Sequence, residues 1–396
     1  MKNLIKKRKT RMLVMIVMSV LLLVFPVLAD EAIDTIINKQ INTLDLEATE
    51  KTLEKIKSQT SNPYLNQFNI KKAMGDAITG KQKITPIKII NGLVGLVFGE
   101  INVYFSLMGK LMILAIFCTV LSTLSISFQN KSTSQIAFYI CYIVLIITLT
   151  ESFLVSMEIA QLTIDQMTTT MHASIPVMVT MLISTGNITS SSIFQPLIIS
   201  SIQIASVILR NTVLPLVFFV SVLEIVSHMS EDFKITKLVD LAYLTIKWIL
   251  KGLVTLFVGI MTLYGLTTPF VDGTINKAAK SMMSSFVPVV GEALSGTVDL
   301  VMNCSVIVKN SYTIGLIILL LLICAIPLIK IFLCMTVYQL TSAIIEPISD
   351  KRIAQCISGM GRATGYLLGT LSTVMVLFIL NMLILVGASN VATMMG

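Results

Sequence analysis

The chain has 396 residues, of which 55% are hydrophobic and only 13% are charged, far below the roughly 25% charged residues of a typical soluble domain. This composition excludes a water-soluble globular protein. A net charge of +8 does not indicate nucleic-acid binding, because the Lys and Arg residues lie at the N-terminus and between apolar segments rather than in one patch. The six cysteines include no Cys-x-x-Cys pair and accompany only two histidines, so we expect no metal site and no disulfide framework.

The N-terminus has the pattern of a secretory signal. A basic segment that includes Lys6, Lys7 and Arg8 precedes an apolar core from Met12 to Phe25, and small residues follow as far as Ala29. We predict a signal peptide of residues 1–29, cleaved after Ala29. An uncleaved signal anchor is the alternative, and either would export the segment that follows.

Residues 30–103 contain the only long polar stretch. Ile33, Ile37, Ile41 and then Leu46, Leu53 and Ile56 recur at helical spacing, which predicts short amphipathic helices that Pro63 interrupts. The apolar faces of these helices pack either against neighbouring parts of the chain or onto a partner protein. We therefore predict an exported helical region of residues 30–103, followed by a membrane domain of residues 104–396.

Six stretches of the membrane domain are apolar and long enough to cross a bilayer core of about 30 Å. The third is too long for one straight helix and contains Arg210 and Pro215, so we expect it to be broken or to cross twice. The six stretches are Leu111 to Phe128, Ile136 to Met157, Ile193 to Ser227, Leu241 to Thr268, Ser311 to Thr341 and Ala363 to Val386.

The distribution of basic residues predicts the orientation. If residues 30–99 lie outside, the loops containing Lys131, Lys234 and Lys237, and Lys351 and Arg352, fall inside, in agreement with the positive-inside rule. Lys277 and Lys280 then lie outside, which counts against this scheme.

Two parts of the membrane domain resemble each other. Pro176 and Pro215 are followed, at an offset of about 112 residues, by Pro288 and Pro327, which predicts repeats over residues 170–268 and 282–391. Each repeat opens with a short proline-containing segment, Ser174 to Ile183 or Phe286 to Leu294. These segments are predicted to be either re-entrant half-helices or amphipathic helices in the membrane interface.

Charged residues within or beside the apolar segments are the candidate site residues. Glu151, Glu158, Asp165 and His172 are spaced by seven and would form one stripe on a continuous helix. The stripe would be either the lining of a polar path or, beyond Glu151, the surface of a solvated helix extension. Lys247 and Lys251 could instead extend to the interface. The other candidates for a polar path or for buried charge are Arg210, Glu224, Glu292, Asp299, Lys309 and Lys330.

No catalytic motif is present. The sequence lacks H-E-x-x-H, G-x-S-x-G and the P-loop pattern, so we expect no enzymatic activity and no cofactor. Gly361, Gly365 and Gly369 are better interpreted as small residues that allow close helix packing than as a phosphate-binding loop.

Several segments, in order along nearly the whole chain, resemble the stage III sporulation protein AE family of endospore-forming bacteria. They include Met108-Gly109-Lys110-Leu111, Leu214-Pro215-Leu216-Val217-Phe218, Phe286-Val287-Pro288-Val289-Val290-Gly291 and Val308-Lys309-Asn310. The resemblance implies an all-α polytopic bundle in the mother-cell membrane around the forespore. It also implies partners, namely other stage III sporulation channel proteins of that membrane and of the intermembrane space.

The function implied by the resemblance is that of a membrane-embedded component of a secretion-like channel complex between mother cell and forespore. Two alternatives remain open from the sequence. The repeat favours a stand-alone ion-coupled secondary transporter, and a structural scaffold that assembles partner subunits would need no polar path.

Overall fold

The computed structural model describes residues 35–59, 62–79, 86–127, 131–229, 235–286 and 290–395, and all regular structure in these ranges is helical. The predicted all-α polytopic bundle is therefore confirmed. The predicted signal peptide lies outside the described residues. The helices are α1 (residues 35–43), α2 (Glu47–Gln59), α3 (Pro63–Gln67), α4 (Ile70–Thr79), α5 (Pro86–Ser127), α6 (Lys131–Ser184), α7 (Ile188–Ile208), α8 (Leu214–Met229), α9 (Thr236–Phe286), α10 (Val290–Ile345) and α11 (Lys351–Met395).

Among the described residues, six helical stretches are long and apolar enough to cross a membrane, as the sequence predicts. The first begins earlier than the predicted Leu111 and includes Lys110, whose exposed side chain lies in a surface groove described below. The six are Gly99–Leu121, Tyr139–Ser184, Ser191–His228, Thr236–Ile260, Leu300–Ile345 and Lys351–Ile384.

The third stretch is continuous, but its helical winding changes in the middle. Residues Leu209–Val213 form a π-helical segment that joins α7 directly to α8. Pro215 lies just after this segment and lacks a backbone N–H, so the wider turn absorbs the missing hydrogen bond without ending the helix. The predicted break is thus a π segment that includes Arg210.

The half-helices predicted at the start of each repeat are not separate elements. Residues 174–183 form the last turns of α6, which contains Pro176 and ends at Ser184. In the second repeat, Phe286 ends α9 and Val290 begins α10. The chain turns between α6 and α7 at Gly186, whose φ of 80° favours a residue without a side chain. Each repeat contains long helical stretches, and duplication remains a prediction.

Three loops are predicted to lie inside, and they connect α5 to α6, α8 to α9 and α10 to α11. The helix ends next to these loops lie at one end of the bundle, which we call the turn end. The Tyr142 hydroxyl of α6 donates a hydrogen bond to the backbone oxygen of His228 in α8, at 3.2 Å. The Thr119 hydroxyl of α5 donates to Ser349 Oγ, between α10 and α11, at 3.0 Å. The helix ends beside the predicted inside loops are therefore grouped in space, as the predicted orientation requires.

Asp350 starts α11 at the turn end. Its carboxylate accepts hydrogen bonds from the backbone N–H of Arg352 at 3.0 Å and from the Arg352 guanidinium at 2.8 Å. Burial acts to raise the pKa of Asp350, but these hydrogen bonds and the guanidinium charge outweigh it and lower the pKa. The carboxylate therefore stays ionised and caps the helix.

Helices α1 to α4 pack against the half of the bundle that is remote from the turn end. Gln40 Nε2 donates to Ser305 Oγ of α10 at 2.8 Å, and the hydroxyls of Thr49 and Tyr312 lie 3.1 Å apart. The apolar faces predicted from the sequence are buried here, with Leu53 5% and Leu65 0% exposed. Helix α2 contacts α6, and α4 contacts α10. These faces therefore pack within the chain.

Asn62 joins this outer layer to α10. Its side-chain oxygen accepts from the backbone N–H groups of Tyr64 and Leu65 and caps α3, while Nδ2 donates to the backbone oxygen of Leu322 at 2.9 Å. Leu322 precedes Ile323, whose backbone oxygen lacks its intrahelical partner because Pro327 has no N–H. One buried amide thus satisfies groups on two helices.

We expect Asn62→Ala to lower the free energy of unfolding by about 1–2 kcal/mol, because a helix cap and a buried hydrogen bond are lost together. Thermal unfolding of the detergent-solubilised protein would measure the change. Asn66→Ala is the matched control, since Asn66 is exposed on the same short helix. Equal destabilisation by both substitutions would contradict the role given to Asn62.

Candidate functional site

A groove runs between α5 and α6 on the outer surface of the bundle; its lining is mostly apolar but includes several polar side chains, and we call it the polar groove. Its volume is about 590 Å³, and Cys334 of α10 forms part of its base. Asn102, Ser106 and Lys110 line it from α5 at intervals of one helical turn, and all three are exposed. Ser152 and Ser156 face them from α6. Polar side chains thus follow one another along a span that the sequence makes strongly apolar.

The position of the groove places these polar groups at membrane depth. Ser106 lies about 20 Å along α5 from Thr119, at about 1.5 Å per residue, and Thr119 contacts the turn end. Ser152 shares a hydrogen bond of 2.6 Å with the Tyr338 hydroxyl, which anchors α6 to α10 beneath the groove. The sequence analysis missed Asn102, Ser106 and Lys110, although their spacing on one helix face was visible.

The predicted stripe of Glu151, Glu158, Asp165 and His172 lies on the single helix α6. The two glutamates are exposed, and Asp165 and His172 are half-buried, so the stripe faces outward and does not line the interior of the bundle. Asp165 Oδ1 lies 2.7 Å from Arg210 Nη1, where the π segment brings the guanidinium against α6. Two predicted site residues therefore form one ion pair.

Glu224 is a buried carboxylate, 2% exposed, at the meeting point of α8, α9 and α11. Its Oε1 atom lies 3.7 Å from Arg362 Nη1, and the same guanidinium nitrogen lies 3.9 Å from Asp240 Oδ1. Its Oε2 atom lies 3.8 Å from His228 Nδ1, which donates to the backbone oxygen of Glu224 at 2.7 Å. We call these four residues the Glu224 cluster.

Two tyrosines support the guanidinium of this cluster. The Arg362 guanidinium carbon lies 5.6 Å from the centre of the Tyr243 ring, and Tyr243 stacks on Tyr366 with ring centres 4.5 Å apart. A cation over an aromatic face is attracted by the ring quadrupole. The sequence analysis identified Glu224 as a candidate site residue but missed Arg362, Asp240 and His228; the i, i+4 spacing of Glu224 and His228 was the available signal.

Gly359 provides the space for the Glu224 side chain. A Cβ atom at this position would lie 2.7 Å from Glu224 Oε2 and 3.2 Å from Glu224 Cβ. Gly361 and Gly365 have the predicted packing role, because a Cβ there would come within 3.2 Å of Tyr338 and 3.3 Å of Met335. A Cβ at Gly369 would meet nothing within 4 Å.

The remaining predicted residues do not join one site. Lys330 Nζ lies 3.3 Å from Glu100 Oε1 and links α10 to α5. Lys309 is fully buried, and its Nζ has no hydrogen-bond partner among the residues that the structure describes. Glu292 and Asp299 lie outside the residues whose side chains are described.

We expect Gly359→Ala to lower the free energy of unfolding by about 1–3 kcal/mol, because the added methyl group displaces the Glu224 carboxylate from Arg362. Gly369→Ala on the same helix is the control and should be neutral or stabilising by up to about 1 kcal/mol, since alanine is the better helix former. Thermal unfolding in detergent measures both.

The penalty of Gly359→Ala should also shrink in a Glu224→Ala background, where the methyl group meets no carboxylate. A penalty that is unchanged by removal of the Glu224 side chain would contradict the proposed steric cause.

Comparison with known proteins identifies the family. The chain is 31% identical over 327 residues to stage III sporulation protein AE of Bacillus subtilis (strain 168), and the alignment covers 82% of each protein. No solved structure matches the chain. Residues 68–389 match the profile of the stage III sporulation protein AE family. The chain therefore belongs to the stage III sporulation protein AE family, as the resemblance in its sequence predicts, and has a role in sporulation.

Proposed function

We propose that this chain is a membrane-embedded component of a secretion-like channel complex between mother cell and forespore, and that it supplies one wall of the conduit. It would reside in the mother-cell membrane with its N-terminal region exported, beside other stage III sporulation channel proteins of that membrane and of the intermembrane space. We also propose that the chain has no enzymatic activity. The observation that carries the proposal is the polar groove between α5 and α6.

The groove is an open wall rather than a closed pore. Exposed serine, asparagine and lysine side chains gain little from contact with lipid, and a lysine at membrane depth is costly there. A second protein surface placed over the groove would enclose these groups and allow water to fill the space. The groove therefore fits a conduit that several subunits complete together.

The interior of the bundle supports a conduit between subunits. Where α11 packs against the rest of the bundle, side chains such as Leu367, Leu371, Val374 and Phe378 are fully buried. Close packing of apolar groups leaves no room for water. This arrangement weighs against a stand-alone transporter with a central path. It also favours the scaffold as the second candidate function, because a scaffold needs a filled core and no polar path.

Thiol accessibility in sporulating cells that contain the whole complex would test the conduit. We expect cysteines introduced by Asn102→Cys and Ser106→Cys, at exposed positions of the groove in a chain whose six native cysteines are replaced, to react with a small membrane-impermeant reagent. Two controls are Ile113→Cys, at a position 70% exposed on α5, and Leu111→Cys, at a position 0% exposed. Both should react at least about tenfold more slowly, because thiolates form and react poorly away from water.

Reaction at Ser106→Cys as slow as at Leu111→Cys would show a dry groove. The conduit proposal would then fail, and the scaffold would replace it.

A further inference from the structure

Helix α9 presents two lysines on its outer face at the middle of its membrane span. Lys247 and Lys251 are both exposed and lie on either side of Trp248, which is 70% exposed. A surface cleft of about 670 Å³ surrounds them and is otherwise lined mostly by apolar side chains such as Leu244 and Leu256. Neither lysine has an ion-pair partner in the part of the chain that the structure describes. Each would cost several kcal/mol if it faced hydrocarbon.

Helix α6 presents the opposite charge in a similar way. Glu151 and Glu158 are exposed, and within the described ranges neither has an ion-pair partner. The neighbouring Val155 is 56% exposed, so this face of α6 is not covered by the bundle. Among the described residues, the α6 glutamates and the α9 lysines thus form two uncompensated pairs of like charge on the outer surface at membrane depth.

The two pairs lie at overlapping depths. We measure depth along the bundle from the contact between Tyr142 and His228, with about 1.5 Å per helical residue. On this scale Glu151 and Glu158 lie at depths of about 14 and 24 Å. Tyr243 is level with Tyr366 through their ring stacking, and Glu224 is level with Gly359. On the same scale, Lys247 and Lys251 lie about 22 and 28 Å from zero. Long lysine side chains can close the remaining difference.

The charges cannot neutralise each other within one chain. Helices α7, α8 and α11 each contact both α6 and α9 and lie between them. Pairing therefore requires two copies of the chain side by side in one membrane, with the α6 face of one against the α9 face of the other.

We propose that neighbouring copies of this chain associate head to tail in the membrane, with Glu151 and Glu158 of one copy pairing with Lys247 and Lys251 of the next. Pairing opposite charges at overlapping depths lowers the cost of exposing either to lipid. Because the two faces differ, the contact is heterologous, and repeated contacts produce a closed ring or an open row rather than a two-fold dimer. The inference does not depend on the channel proposal, since it concerns self-association alone.

Disulfide cross-linking in isolated membranes provides the test. Val155→Cys and Leu244→Cys place thiols beside each charge pair without altering it, in a chain whose native cysteines are replaced. Oxidation of the double variant should give a ladder of dimers, trimers and larger species, whereas each single variant should give none. Dimers formed by Val155→Cys alone would reveal a two-fold contact and overturn the proposal.

Charge reversal then tests the pairing itself. Lys247→Glu with Lys251→Glu, and separately Glu151→Lys with Glu158→Lys, should each reduce the cross-linked fraction by about tenfold or more, since like charges now meet. All four substitutions together should restore the ladder. The control reversals Glu54→Lys and Lys55→Glu, at exposed positions of α2, should leave it unchanged. A ladder that survives either double reversal would overturn the proposal.

Two further measurements keep the test decisive if a reversed variant does not fold. Co-expression of the two double-reversal chains with different tags should give mixed cross-links, because each again meets its complement. Glu151→Gln with Glu158→Gln, which keeps the side-chain shape, should also weaken the ladder. The proposal would be overturned if no variant gave a ladder and if anionic phosphatidylglycerol co-purified with the wild type but not with the lysine-reversal variant. The lysines would then be assigned to lipid binding.

Discussion

A charged side chain within a bilayer must be paired, buried among polar groups or covered by another protein, because hydrocarbon offers it no compensation. This constraint sorts most of the described ionisable groups of the membrane bundle into three sets; Lys309, buried without a hydrogen-bond partner among the described residues, and Lys110, exposed in the groove, belong to none of them. Arg210 with Asp165, and Lys330 with Glu100, are paired across helices. The Glu224 cluster is gathered at a junction of three helices, and the charges on the outer faces of α6 and α9 have no partner among the described residues.

The Glu224 cluster shows how the constraint also positions helices. A buried carboxylate with one close guanidinium is costly to separate from it, since removal of either partner leaves an uncompensated charge. Because Glu224, Asp240 and Arg362 belong to α8, α9 and α11, the helices cannot slide past one another without breaking these contacts. Gly359 contributes to the same positioning, because only a residue without a side chain lets α11 approach α8 so closely around the Glu224 carboxylate.

The sequence predicts the membrane architecture well because the hydrophobic spans depend on composition, and composition is local. The α6 stripe was also predictable, since its spacing of seven needs only one continuous helix. The pairing of Asp165 with Arg210 was not, because it depends on how the π segment turns Arg210 toward α6. The short half-helix from Ser174 to Ile183 was predicted wrongly because Pro176 suggests a helix start, whereas α6 accommodates it within the helix; the proline of the second predicted half-helix lies outside the described residues. Whether a proline starts a helix or lies within one depends on how the helices pack, and helix packing cannot be derived from a single sequence.

Helix length links these features to the shape of the molecule. Helices α6 and α10 have 54 and 56 residues, about 80 Å each, whereas the hydrocarbon core is about 30 Å thick. Even a tilted helix of this length extends beyond the membrane, and α1 to α4 pack around the part remote from the turn end through Gln40, Thr49 and Asn62. The outer layer stabilises long helices that would otherwise expose apolar faces to water. The polar groove and the α6 glutamates remain on the membrane-embedded part, so a neighbour that covers the glutamates would stand at the edge of the groove and supply its missing side.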